Sequence, residues 1–237
     1  MKILISKKKK YFVKDTSADF HTSEGVIEKK FLKKTGLVKT NKNKEFLLVE
    51  PNFIDLWEKI KRGPQVIIQK DIGLIIAKTG INKHSNVVDA GGGSGSLCCY
   101  LAHISKEVTT YEIQKDLIPI LKHNQRLFDL QNLKIKNRSI YDGIKEKNLD
   151  LITLDLAQPW QVIDHAEKAL KVGAFLAVYL PNIVQVKLFA DALKGSSIQL
   201  LEVEELIERK WKVEDKVLRP EYEMLGHTGF LCFCRKF

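Results

Sequence analysis

The sequence predicts a two-part α/β protein: a small all-β domain, then a doubly wound, mostly parallel sheet that ends in an antiparallel hairpin. Three observations carry this expectation. From residue 65 onward, strand-length apolar runs alternate with stretches of helical period, as in a parallel sheet covered on both faces. Residues 1–50 instead hold only short strand-like runs separated by polar turns. Between them Gly63-Pro64 breaks the chain, which places a domain boundary near residue 62 and divides it into 1–62 and 63–237.

In the first part, KILIS, YFVKD, GVIEKKFLK, TGLVKT and EFLLVE read as strands, the last following the turn TNKNK. Asn52 is placed to cap a helix whose Phe53, Leu56, Trp57 and Ile60 form one apolar stripe. In the second part a helix over 71–79 precedes the strand NVVDA (86–90), a glycine-rich turn and a helix near 95–104. The strand VTTYE follows, then a helix near 116–129 with Leu117, Ile120, Leu121 and Phe128 on one side. Strands LKIKN, LDLITLD and GAFLAVYLP come next, with helices near 161–171 and 183–194. The closing segments SIQLLEVEELIERKWKV and HTGFLCFCRKF read as a hairpin split by a long connection.

Composition narrows the class. The 237 residues are 44% apolar and 29% charged, which supplies a core and excludes whole-chain disorder. No apolar run approaches the roughly 18 residues of a membrane span, and MKILISKKKK lacks the apolar stretch of a signal peptide. A soluble cytoplasmic protein is the expectation. The net charge is +10, of which residues 1–62 carry +8, from 16 Lys/Arg against 8 Asp/Glu. Clustered cations on one lobe suit a polyanion such as nucleic acid, although a solvated lysine face would look the same. Cys98, Cys99, Cys232 and Cys234 lack the spacing of a zinc site, so no metal is expected and buried, inert thiols are.

The most specific local signal is Asp89-Ala90-Gly91-Gly92-Gly93-Ser94-Gly95, between a strand and a helix. It fits D-x-G-x-G-x-G. The dinucleotide fingerprint would need a glycine at Ser96, so a nicotinamide cofactor fits less well. Glu112 ends the next strand, where doubly wound folds place an acid to accept from both ribose hydroxyls. Asp142, in SIYDG after the third strand, can take an adenine amine or simply form a turn. Asp155 closes the fourth strand at the sheet's carboxyl edge, beside the switch point; capping the next helix is its bland alternative. Glycine turn, ribose acid and adenine acid in that order resemble the class I S-adenosylmethionine-dependent methyltransferases, whose domain is Rossmann-like.

A narrower resemblance spans essentially the whole chain. RGPQVIIQKD (62–71), DAGGGSGSL (89–97), YEI (111–113), LDLAQPW (154–160), YLPNIVQV (179–186) and EMLGHTGFLCFCRK (223–236) follow the order of the tRNA (adenine-N1)-methyltransferases that modify position 58, and in archaea also 57. DFHTSEGVI (19–27) is similar to that family's small β domain. The resemblance implies that Gln65, Gly91, Gly93, Ser94, Gly95, Ser96, Leu97, Glu112, Asp142 and Asp155 surround S-adenosyl-L-methionine. It also implies that Asp155 acts at the target adenine, and that Tyr179, His227 and Thr228 line the substrate entrance. A basic domain that holds tRNA phosphates and a homotetrameric assembly are implied as well. Tyr179 as a core residue and His227 as a structural imidazole are the alternatives for those two.

One carboxylate suits this chemistry. Methylation at N1 uses a ring lone pair and creates positive charge spread toward the 6-amino group, which an ionised Asp155 would stabilise. The base would have to leave its stack to reach the pocket. The chain departs from the family pattern at Ile68 and Gln69, where an aromatic or polar residue and a proline are usual, and at Ala157, where another proline is. Those departures keep two other functions in view: a noncatalytic tRNA-binding subunit, and a class I methyltransferase with another substrate. The intact glycine turn, Glu112 and Asp155 argue against the first; the basic lobe and GHTGFL argue against the second.

Overall fold

The computed structural model describes all residues except Lys8, Pro64 and Gln65. Its chain divides into two compact units, Met1–Lys59 and Ile60–Phe237.

The first unit is built from strands β1 (Lys2–Ile5), β2 (Lys10–Val13), β3 (Phe20–Thr22), β4 (Gly25–Ile27), β5 (Gly36–Lys39) and β6 (Glu45–Val49). An antiparallel four-stranded sheet has the order β2-β1-β6-β5, and β3 and β4 form a separate hairpin. Alternation along β6 turns Phe46 and Leu48 inward, where they meet Leu4, Val13, Ile27, Leu32 and Val38. Two expectations are corrected here. GVIEKKFLK is not one strand: β4 stops at Ile27, and a 3₁₀ turn, Lys29–Phe31, follows with Lys29 N–H donating to Asp19 Oδ1 at 2.8 Å. Successive lysines offer no apolar alternation to extend the ladder. The apolar stripe after Asn52 also yields a shorter helix than its spacing suggests. Helix α1 (Phe53–Trp57) has the expected cap, reinforced because Asp55 returns a bond to the Asn52 N–H, but it ends before Ile60.

The second unit alternates α2 (Gln69–Thr79), β7 (Asn86–Ala90), α3 (Ser96–Ile104), β8 (Glu107–Tyr111), α4 (Ile118–Leu127) and β9 (Leu133–Lys136). Then come β10 (Leu149–Asp155), α5 (Ile163–Ala169), β11 (Leu170–Leu180), α6 (Ile183–Ala192), β12 (Ile198–Glu204), β13 (Trp211–Glu214), β14 (Val217–Pro220) and β15 (Phe230–Lys236). The main sheet has the order β12-β15-β11-β10-β7-β8-β9, with β15 antiparallel to both its neighbours. Successive strands run outward from β7 through β8 to β9, then resume on its other side at β10. The carboxyl ends of β7 and β10 therefore flank the switch point.

The strands read from NVVDA and LDLITLD coincide with β7 and β10. Their buried faces on both sides explain why near-continuous apolar runs mark them clearly. SIQLLEVEELIERKWKV is corrected: β12 stops at Glu204, and Trp211 opens a separate hairpin, β13–β14, which turns where Asp215 adopts a positive φ. Cys232 and Cys234 share a face of β15 inside the core, and burial pushes the Cys232 thiol up to about 12. No helix among the described residues is long and apolar enough to cross a membrane.

Candidate active site

The glycine turn is shaped by backbone crowding. The N–H groups of Gly91 and Gly92 both donate to Tyr111 O at 3.1 Å, drawing the turn against the end of β8. Gly91 has φ +84°, and a Cβ there would lie 2.1 Å from the Asp155 carbonyl oxygen. Gly95, at φ +91°, starts α3, and a Cβ would meet the Leu121 side chain at 2.6 Å. Gly93 also has positive φ, but a Cβ there would make only an ordinary contact, 3.7 Å from Gly91 O. A Cβ at Gly92 would likewise meet Thr110 Oγ1 at 2.5 Å, so the turn combines three crowded positions with one that has room beside it.

Three carboxylates converge on it and differ in their bonding. Asp89 is buried and accepts from Thr110 Oγ1 and Thr153 Oγ1, each at 2.7 Å. Burial lifts its carboxyl to about 6 against the pull of those hydroxyls. Glu112, also buried, accepts from the N–H groups of Gly93 and Gln114, each at 2.7 Å. Asp155 ends β10 half-buried and accepts no hydrogen bond among the described residues. Burial first, then the charges of Asp89 and Glu112, push its carboxyl up to about 7.

A cavity of about 290 Å³ opens beside these acids, walled by Gly91, Glu112, Ile113, Ser139, Tyr141 and Asp155. A narrower cleft continues along Ile67, Gly93, Ser94, Ser96 and Leu97. Ser94 Oγ is buried there without a partner among the described residues, while Ser96 Oγ donates to Ile67 O at 2.9 Å. Asn124, fully buried, accepts from Lys61 N–H at 2.9 Å and donates to Ser94 O at 2.7 Å. The segment that leads to Gln65 is in this way tied to the glycine turn; Gln65 itself lies outside the described residues. Asp142 is exposed and does not line the cavity; Ser139, Ile140 and Tyr141 beside it do.

The residues of this cleft fit S-adenosylmethionine. An open glycine turn, an unsatisfied buried hydroxyl and a strand-end glutamate are complementary to an adenosyl ligand. Glu112's two bonds leave acceptor capacity for ribose hydroxyls, because a carboxylate has about four lone-pair sites.

Tyr179 and Thr228, expected at the substrate entrance, belong to a second network, and His227 has partners of its own. Tyr179 is buried at the register position beside Asp155, and its hydroxyl donates to Thr228 O at 2.5 Å. Burial moves that phenol up to about 12. Thr228 Oγ1 donates to Asp71 at 3.0 Å and accepts from Lys70 Nζ at 2.7 Å, and Lys70 and Asp71 form a buried ion pair at 2.6 Å. His227 is exposed, with Nδ1 2.5 Å from Glu205 Oε1 and Nε2 2.8 Å from Pro181 O. Two acceptors favour imidazolium, and Glu205 holds its pKa above the usual histidine range. Lys70 and Asp71 stand within RGPQVIIQKD, where the sequence gives them no role of their own; their pairing with Thr228 is what the sequence does not show.

Ile68, half-buried, precedes α2 and accepts the Asp71 and Ile72 N–H groups through its carbonyl. Gln69 is exposed. At Ala157, Gln185 Nε2 donates to the carbonyl oxygen at 3.1 Å, and the N–H of the next residue, Gln158, reaches Tyr141 Oη at 3.4 Å.

Comparison with known proteins bears on the family and the fold. The family described as "tRNA methyltransferase complex GCD14 subunit" matches residues 47–219. The tRNA (adenine(57)-N(1)/adenine(58)-N(1))-methyltransferase TrmI of Methanocaldococcus jannaschii is 32% identical over 99% of this chain and 94% of its own. The tRNA (adenine(58)-N(1))-methyltransferase TrmI of Thermus thermophilus is 29% identical over 92% of this chain and 89% of its own. Among solved structures, tRNA (m1A58) methyltransferase TrmI of Aquifex aeolicus superposes with TM-score 0.82 at 26% identity, covering 100% of this chain and 96% of its own. A Thermotoga maritima structure described as a SAM-dependent O-methyltransferase gives 0.86 at 28% identity, covering 99% and 92%. With a Rossmann-like methyltransferase sheet, a glycine turn under three acids and relatives aligned along nearly its full length, this chain belongs to the GCD14 family of tRNA methyltransferases.

Proposed function

We propose that this protein transfers the methyl group of S-adenosyl-L-methionine to N1 of adenine 58, or of adenines 57 and 58, in the T loop of tRNA. The observation that carries the reading is the inequality of the three acids. Asp89 and Glu112 are each committed to two hydrogen bonds, whereas Asp155 has none among the described residues and faces the cavity. An acceptor left open at the switch point suits a group that acts on substrate.

When bound, the cofactor supplies an electrophilic methyl group on a sulfonium. Glu112 accepts from the ribose, Ser94 Oγ makes its missing bond, and the turn admits the ligand at Gly93. Gly91, Gly95, Ser96 and Leu97 shape that turn; a cofactor role for Gln65 and Asp142 rests on the family resemblance alone. Ionised Asp155 accepts from the adenine 6-amino group, holding N1 in line and stabilising the positive charge that grows as the N1–methyl bond forms and the sulfur–methyl bond breaks. No proton leaves N1, because its lone pair is free in neutral adenine. Tyr179, Thr228 and His227 hold the entrance through which the extruded base arrives.

The first unit contributes phosphate contacts, and the enzyme works as a cytoplasmic homo-oligomer, by likeness a tetramer. Incubation with labelled S-adenosylmethionine and unmodified tRNA, followed by nucleoside mapping, tests the reading. 1-Methyladenosine in the T loop is expected; label at another atom or on another polymer would refute it.

A further inference from the structure

We propose that the first unit carries a stacking site for one unpaired, unstacked nucleotide of tRNA, with Phe31 as its platform and the lysines around it as phosphate ligands. The inference rests on the tRNA reading above and deepens it by locating where the β unit would grip an RNA single strand.

The geometry begins with KKFLKK, residues 29–34. Leu32 is fully buried in the β core and fixes the turn, so its neighbour Phe31 is presented outward by the fold at 45% exposure. Leu37, on the edge strand β5, is 77% exposed. Val26, Phe31, Leu37 and Val38 line a groove of about 440 Å³, with Asn41 at its margin. Asn41 Oδ1 accepts from Val26 N–H at 2.9 Å, which orients the side chain, while its amide nitrogen has no partner among the described residues. An apolar floor therefore has an oriented pair of free donors at its edge.

The charge around the groove selects its occupant. Lys30 Nζ stands 4.9 Å from the Phe31 ring centroid and pairs with Glu28 at the groove, where Lys39 pairs with Glu45; Lys29, Lys33 and Lys34, in the same segment as Phe31, are exposed without an ion pair among the described residues. An exposed aromatic face in a segment with three such lysines, on a unit of strongly positive net charge, matches the recognition of single-stranded nucleic acid: bases stack on the ring and their phosphates meet the lysines. A duplex offers no free base face for such stacking, whereas an unpaired loop does.

The test uses the full-length chain and fluorescently labelled unmodified tRNA, with anisotropy measured without cofactor across a salt series. Phe31→Ala should weaken binding about five-fold to a hundred-fold, the range for losing one base–aromatic stack, without changing the salt slope. Phe31→Tyr, which keeps a stacking face, should bind within about twofold of wild type. Replacing Lys33 and Lys34 together by Gln should make the slope of log K on log salt shallower by roughly 1.4–1.8, as expected for two lost phosphate contacts. Unchanged affinity in Phe31→Ala would overturn the proposal. So would a loss of assembly mass in that variant on sedimentation, which would make the groove a contact between copies of the chain. Failure of wild type to methylate any adenine would strike the enzymatic reading instead, because these affinities need no turnover.

Discussion

The two units treat polar groups in opposite ways. In the α/β unit, acids, hydroxyls and an amide are buried and bonded to one another: Asp89 to Thr110 and Thr153, Glu112 to Gly93, Asn124 to Ser94. In the β unit, Thr40 and Asp55 are the buried polar side chains among the described residues, and most of the lysines are exposed. Chemistry needs groups whose positions are over-determined before substrate arrives, and low-dielectric surroundings make each misplaced one costly. Attraction of a polyanion needs accessible cations whose individual positions matter little.

If this contrast is right, single substitutions should be severe in one unit and mild in the other. The largest effect is expected at Gly91→Ala, whose Cβ would enter the Asp155 carbonyl while the backbone sits at positive φ. Cofactor affinity should fall by about 10²-fold or more and stability by ~3 kcal/mol, read by calorimetry and thermal melts. Glu112→Ala removes the ribose acceptor and unpins Gly93; a loss of about 1–3 kcal/mol in cofactor binding is expected. Equal affinity would remove Glu112 from the site.

Asp155→Asn probes the cost of preorganisation. Because the folded carboxyl titrates near 7 and the unfolded one near 3.8, the native state binds more protons in between, and wild-type stability falls relative to the amide variant as pH rises through that window. Denaturant melts at pH 4 and pH 8 should show the Asn variant gaining roughly 1–3 kcal/mol on wild type. A constant difference would mean that Asp155 is not strained by burial and neighbouring charge. In the β unit, Asn52→Ala should cost ~1 kcal/mol through loss of the α1 cap. A single exposed lysine there, such as Lys33→Gln, should move stability by less than about 0.5 kcal/mol.

The sequence made the site's outline legible because its signals are local. Asp89 through Gly95 and the strand ends at Glu112 and Asp155 need only a strand, a turn and a helix to be recognised. It singled out Asp155 but not the bonding that sets it apart from Asp89, an acid next to the end of the neighbouring strand. Their difference comes from Thr110 and Thr153, which reach Asp89 only because β8 and β10 flank β7. The Lys70–Asp71–Thr228 network was hidden for a similar reason, since Thr228 lies more than 150 residues from the adjacent Lys70 and Asp71. In the β unit, the three-residue strand Phe20–Thr22 and the turn at Lys29–Phe31 are too short to show a period. The hairpin β13–β14 eluded the reading because its strands are only four residues long and its apolar residues, Trp211, Val213 and Leu218, are exposed rather than turned to a core.

The most direct test of the account concerns the Asp155 charge. Methyl transfer to unmodified tRNA should be followed at subsaturating substrate from pH 5.5 to 9 in wild type and in Asp155→Asn, since kcat/KM reports the ionisations of the free enzyme. The account predicts a wild-type rate that rises with pH and levels off above about 7, and a variant at least roughly 10²-fold slower without that rise, although it binds cofactor as well as wild type does. An Asn variant that methylates as fast as wild type, with the same pH profile, would contradict it.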